Sequence, residues 1–173
     1  MTKTATNADN LRIGLMGVGG VCAAVHYPGL SRIPGVTIQA ICDPNAELVS
    51  SRAAEWGVSS SFTNVGDLLA EGLDAVVIAT PNDQHRPLIE AALDAGCHVL
   101  CEKPLGMSLS ETIAIYEKAE ASGLRHMTAF TYRFVPAMNY LRHLVHTGVL
   151  GEIRHARVQR LQDWGEDAIG WRQ

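Results

Sequence analysis

Lys103 is the residue whose type and place point most directly to chemistry. It follows the apolar run His98-Val99-Leu100-Cys101-Glu102 and precedes Pro104. Such a run reads as a strand, which sets the lysine at the strand's carboxyl end, where open α/β sheets hold their ligands. There an ammonium can donate to a substrate hydroxyl and stabilise an alkoxide as hydride leaves. The bland alternative is a salt bridge to Glu102 or a solvated charge. Arg133 also falls at a strand's carboxyl end on this reading, after a run from Arg125 to Tyr132, and is a second candidate to touch substrate.

A phosphate-binding signal lies upstream. Gly17-Val18-Gly19-Gly20-Val21-Cys22 fits G-x-G-x-x-(small), with a strand expected before it and a helix after it. Gly17 permits the tight turn, and Gly19 lets the backbone approach a pyrophosphate. The amides from Gly20 and Val21 onward then face the phosphates with the positive end of the helix dipole. Cys22 replaces the usual third glycine and is small enough for close helix–strand packing. Asp43 ends the next apolar run, about 20 residues on, where a carboxylate accepts the hydroxyls of an adenosine ribose. It repels a 2′-phosphate and has no Arg or Lys beside it, which favours NAD over NADP. Its competing role is a helix N-cap before Pro44-Asn45. Thr80-Pro81-Asn82 follows a third run, Ala75 to Thr80. It reads both as a turn opening a helix and as a lining for the ribose and nicotinamide. His85, in the first turn of that helix, goes with the cofactor turn and reads as structural rather than catalytic.

These residues need a frame. Apolar, β-branched runs at Leu11–Met16, 36–43, Ala75–Thr80, His98–Glu102 and Arg125–Tyr132 read as strands. Helices are expected from Gly20 to about Ile33, Asn45 to Trp56, Asn64 to Ala70, His85 to Ala95, after Ser108, and from Pro136 to Thr147. Ser108-x-x-Glu111 is a capping box, in which serine and glutamate each satisfy an orphan amide. Strands alternating with helices imply crossover connections and a doubly wound parallel sheet of about six strands. After Gly148, Gly151–Leu161 alternates with period two and reads as the first strand of a second α/β domain, either paired with another chain or belonging to a sequence cut short. The expected organisation is a polar tail at 1–10, a doubly wound nucleotide-binding domain at 11–135, and a linking helix with the start of a second domain at 136–173.

Composition narrows the function classes. The chain has 173 residues, is 47% hydrophobic and carries a net charge of −4 without a basic run. That suits one ordinary domain and argues against nucleic acid or an anionic membrane as the partner. The apolar stretches are strand-length, so no transmembrane helix is expected. The polar N-terminus lacks a signal core, and the default location is cytoplasmic. Cys22, Cys42, Cys97 and Cys101 form no C-x-x-C pair and read as reduced, buried thiols. Cys97-His98 with Cys101 lacks a fourth ligand, and His143 and His146 read as a solvated face beside Arg142, so no metal is expected.

Taken together, Gly17-x-Gly19, Asp43-Pro44, Ala79-Thr80-Pro81-Asn82-x-x-His85, Glu102-Lys103-Pro104, Tyr132-Arg133-Phe134-x-Pro136-Ala137, Gly148-x-x-Gly151-Glu152-Ile153 and Trp171-Arg172 resemble the Gfo/Idh/MocA oxidoreductases. The likeness runs from about Leu11 onward. It implies a Rossmann domain followed by an α/β domain whose open sheet forms a homo-oligomer interface. It implies that Lys103 is the family's catalytic lysine, with a Lys-Pro bond that is often cis. It also implies cofactor contacts at the Thr80 turn, at Glu102 and Lys103, and near Trp171 and Arg172. The expected activity is NAD-dependent oxidation of a sugar, inositol or related polyol. Family members carry their acid/base histidine in an Asp-x-x-x-His pair that follows a further glycine-rich segment, past the stretch this sequence matches. The one such spacing here, Asp94 to His98, precedes Lys103 instead. A non-catalytic NAD-binding module is therefore the alternative, and NAD-assisted glycoside cleavage a third reading within the family's range.

Overall fold

The structure is a computed structural model, described over residues 10–161. It divides into two compact units, the first ending at Ala129 and the second beginning at Phe130. The expected boundary lay at 135.

The first unit is a six-stranded parallel sheet. Its strands are β1 (Leu11–Met16), β2 (Val36–Cys42), β3 (Ser60–Phe62), β4 (Ala75–Ile78), β5 (His98–Cys101) and β6 (His126–Thr128), in the order β3-β2-β1-β4-β5-β6. Chain order runs outward from β1 to β3, then jumps back to β4 on the other side. This is the doubly wound arrangement, with its switch point between β1 and β4. The helices are a π-helical turn (Cys22–His26) running into α1 (Tyr27–Leu30), then α2 (Ala46–Trp56), α3 (Val65–Leu69), α4 (His85–Asp94) and α5 (Leu109–Ser122).

Side-chain alternation along the strands builds two cores. Ile13, Leu15, Ile41 and Val77 pack into one with Val18, Cys22, Val49 and Val58. Met16, Ala40, Cys42, Val76, Ile78, Val99 and Cys101 pack into the other with Leu68, Ile89, Ala92 and Ile115. Both faces are covered, as crossover helices require, so the central strands read as unbroken apolar runs.

Local signals set most boundaries. Asn45 Oδ1 accepts from Leu48 N–H at 3.0 Å and caps α2, a contact that contributes about 1 kcal/mol. Gly57 and Gly123, both left-handed, stop α2 and α5. The capping box forms with a shift. Ser108 Oγ accepts from Glu111 N–H at 3.2 Å, but Glu111 Oε2 accepts from Met107 N–H at 2.6 Å rather than from the cap residue itself.

Three expectations are corrected. The sheet's sixth strand is Ser60–Phe62, which pairs with β2 and is not among the five expected strands. Residues 151–161 take part in no strand, because alternation becomes a strand only where a neighbour completes the hydrogen-bond ladder. The run from Arg125 leaves the sheet at Thr128, so Arg133 is not at a strand end.

The second unit opens with a 3-10 turn (Thr131–Phe134) that holds Arg133, followed by α6 (Pro136–His146), which has proline in its first turn and Gly148 at φ +73° beyond its end. The Arg160 guanidinium lies 4.2 Å from the Tyr132 ring centroid. No helix among the described residues is long and apolar enough to cross a membrane.

The cysteines form no disulfide, and all four are buried. Burial pushes the Cys22 thiol up to about 12, Cys42 to about 11 and Cys101 to about 12, from an ordinary value of 9.0. A raised value means that the folded state holds the proton more tightly than the unfolded chain. The resulting stability is complete below about pH 9 and falls as pH rises toward about 12. At pH 8, a thiol reagent is expected to label these cysteines at the rate of unfolding, while rapid labelling of the folded chain would contradict their burial.

Candidate functional site

Sheet register gathers the sequence candidates of the first unit on one edge. Met16 is level with Cys42 and Ile78, Ile78 with Cys101, and Cys101 with Thr128. The residue after each strand continues the ladder. Gly17 N–H donates to Cys42 O at 2.8 Å, Ala79 N–H to Met16 O at 2.8 Å, and Glu102 N–H to Ile78 O at 2.9 Å. Gly17, Asp43, Thr80 and Lys103 thus leave the sheet at nearly one level, around the switch point.

Gly17 has φ +82°, and a Cβ there would lie 2.6 Å from Ala79 O and 2.9 Å from Thr80 Cγ2. A side chain has no room, so the β1 turn and the end of β4 touch backbone to backbone. Gly19 and Gly20 are the reverse case, since a Cβ on either would meet nothing within 4 Å. Space is open over the first helical turn, whose amides have no partners within the helix.

Asp43 does more than end a strand. Its Oδ2 accepts from Val18 N–H at 3.0 Å, and its Oδ1 accepts from Asn45 N–H at 3.0 Å. It therefore holds the glycine turn in place, and the cap of α2 is Asn45, not Asp43. Each carboxylate oxygen keeps a further lone pair for a hydroxyl donor.

Thr80 Oγ1 is buried and has no hydrogen-bond partner among the described residues. An orphaned hydroxyl beside an open glycine turn fits a ligand with polar oxygens, and NAD is such a ligand. Pro81 precedes a 3-10 turn (Asn82–Gln84) that leads into α4. His85 is fully buried at the start of α4. Its Nδ1 lies 2.7 Å from Pro104 O and its Nε2 lies 3.1 Å from Thr80 O. The histidine thus ties the Thr80 turn to the turn after β5.

Glu102 does not pair with Lys103. Its Oε1 accepts from His26 Nε2 at 2.9 Å, and its Oε2 accepts from the Lys103 backbone N–H at 3.2 Å. Lys103 is exposed and makes no ion pair among the described residues, and its bond to Pro104 is cis. His26 is the residue that sequence reasoning missed. A signal for it existed: Cys22 and His26 stand four residues apart on the helical run, so a titratable group shares its buried face.

Arg133 lies in the second unit, and Trp171 and Arg172 lie outside the described residues. Among the described residues, no group of three or more His, Cys, Asp or Glu side chains could hold a metal ion.

A 3-2-1-4-5-6 parallel sheet with a glycine turn, a strand-end acid and a buried threonine hydroxyl at its switch point defines the class of dinucleotide-binding Rossmann proteins. Comparison with known proteins gives the family. Residues 11–130 match the profile of the Gfo/Idh/MocA oxidoreductase family, described by its NAD-binding Rossmann fold, and the chain belongs to that family. It is 32% identical to levoglucosan dehydrogenase of Pseudarthrobacter phenanthrenivorans, over 95% of this chain and 45% of that protein. It is 35% identical to inositol 2-dehydrogenase of Corynebacterium glutamicum, over 84% of this chain and 44% of that protein. Scyllo-inositol dehydrogenase of Lactobacillus casei, solved with NAD(H) and scyllo-inositol, superposes with a TM-score of 0.79 at 28% identity, covering 84% of this chain and 43% of that one. The chain therefore spans less than half the length of the relatives it matches.

Proposed function

We propose that this chain is the nucleotide-binding part of an NAD-dependent dehydrogenase acting on a sugar, inositol or related polyol. The observation that carries the reading is the alignment of Gly17, Asp43, Thr80 and an unpaired Lys103 along one sheet edge. The turn amides from Gly19 through Val21 hold the pyrophosphate, with Gly17 shaping the turn. Asp43 accepts from the adenosine ribose, and the Thr80 hydroxyl, Pro81 and Asn82 line the nicotinamide side. His85 and Glu102 support that lining from behind. When bound, NAD supplies the hydride acceptor at nicotinamide C4. The Lys103 ammonium donates to the substrate oxygen, which is the group that develops negative charge as the C–H bond breaks. Arg133 contacts substrate, and Trp171 and Arg172 contact the cofactor. In the whole protein, residues 136–173 lead into a substrate domain that also carries a homo-oligomer interface, and the location is the cytoplasm.

The alternative, an NAD-binding module without turnover, draws on the one Asp-x-x-x-His spacing in these 173 residues, Asp94 to His98, being engaged elsewhere. Asp94 accepts from Lys118, and His98, at the start of β5 and away from Lys103, accepts from Arg125 N–H. Titration with NADH, followed by nucleotide fluorescence, is expected to give saturable binding. Residues 1–173 alone are expected to show little or no polyol oxidation. An absence of NADH binding would sink both readings. Robust turnover would show that a proton-transfer group within this chain suffices.

A further inference from the structure

Of the described residues, His26 and His85 are the only polar or charged ones that are buried, and they close on the two neighbours of Lys103. His26 reaches from the phosphate-side helix to the Glu102 side chain, and His85 reaches from α4 to the Pro104 carbonyl. We propose that this pair of histidines is a clamp that positions Lys103 and keeps its ammonium unpaired for the substrate.

Each half of the clamp has its own chemistry. Glu102 is the nearest carboxylate to Lys103 in sequence and its natural ion-pair partner. His26 Nε2, 2.9 Å from Glu102 Oε1, draws that carboxylate inward, where its side chain is 14% exposed. The other oxygen then accepts from the Lys103 backbone amide. One carboxylate thus fixes the lysine's main chain without neutralising its side chain. His85 works on the far side. Both of its ring nitrogens face backbone carbonyls, Pro104 O at 2.7 Å and Thr80 O at 3.1 Å. A carbonyl oxygen only accepts, so the ring nitrogen that carries the proton donates to one of these turns, and the packed ring holds the other turn beside it. Buried between them, His85 joins the turn that carries Lys103 to the turn that carries the orphaned Thr80 hydroxyl.

The inference rests on reading Lys103 as the substrate-facing group. The chain has three lysines, Lys3, Lys103 and Lys118, and Lys118 already pairs with Asp94 at 2.7 Å. Reductive methylation with labelled formaldehyde therefore gives three lysine carbon-13 probes beside that of the N-terminal amine, with Lys3 and Lys118 as internal controls. In His26→Gln and His85→Gln, the Lys103 resonance is expected to shift while Lys3 and Lys118 stay in place. In His26→Gln, replacing Glu102 by Gln as well is expected to restore the wild-type Lys103 signal, because the shift comes from a released carboxylate. A Lys103 signal unchanged in both single variants overturns the proposal. Should neither variant fold, nitrogen-15 spectra of the wild-type His85 ring decide. A coupling through the hydrogen bond from a ring nitrogen to the Pro104 or Thr80 carbonyl supports the clamp, and its absence from both overturns it. All spectra are taken without nucleotide, so a failed NADH titration tells against the functional reading and leaves the clamp to stand or fall separately.

Discussion

Gly17→Ala is expected to cost about 3 kcal/mol of stability and to abolish measurable NADH binding. The left-handed backbone accounts for about 1–2 kcal/mol of this. The remainder comes from the end of β4. The new Cβ would lie 2.6 Å from Ala79 O and 2.8 Å from Ala79 C, which are main-chain atoms and not a flexible side chain. Ala79 is itself held by its bond to Met16 O, and Gly17 by its bond to Cys42 O, both at 2.8 Å. Relief means parting β1 from β4 and losing about 1–2 kcal/mol of hydrogen bonding and packing. Against a typical total of about 5–15 kcal/mol, that loss is readily seen as a lower urea midpoint. Gly19→Ala and Gly20→Ala separate shape from binding. Neither meets an atom within 4 Å, so the urea midpoint should stay within about 0.5 kcal/mol of wild type. NADH affinity should nonetheless fall about tenfold or more, as the methyl fills the space the pyrophosphate needs. Gly19→Ala with wild-type affinity would show that the phosphates do not approach this turn.

Asp43→Ala should weaken NADH about a hundredfold, the loss expected when two charge-assisted ribose contacts go. The structure adds a second consequence that the strand-end position alone does not suggest. Val18 is fully buried, and its amide donates to Asp43 at 3.0 Å. Truncation leaves that donor without an acceptor and should lower stability by about 1–3 kcal/mol in the absence of nucleotide. Asp43→Asn separates the two effects. Its amide oxygen still accepts from Val18, so stability recovers, whereas the charge that repels a 2′-phosphate is gone. The ratio of NADPH to NADH dissociation constants should fall in both variants. An NADH affinity within twofold of wild type in Asp43→Ala would remove Asp43 from the cofactor site.

Much of this frame could be read directly from the residues. Apolar, β-branched runs punctuated by Gly and Pro set five of the six sheet strands, and the alternation of strand with helix gave the doubly wound class. Gly17, Asp43 and Lys103 were legible because each depends on position relative to its own strand, a matter of a few neighbouring residues. Ser60–Phe62 was not, since a three-residue strand with two serines has no pattern of its own. It becomes a strand because β2 offers an open edge, with Cys42 level with Phe62. Gly151–Leu161 is the converse, a strand-like pattern that pairs with no strand among the described residues.

The candidate site divides along the same line. Sequence determined which residue types stand at the strand ends, because turn geometry and strand propensity act locally. Tertiary structure decided what those residues do to one another. Glu102 pairs with a histidine 76 residues away rather than with the adjacent lysine, and Asp43 braces a turn 25 residues upstream. Such contacts follow from which strand ends the sheet register sets side by side, and register emerges only when the whole sheet is assembled.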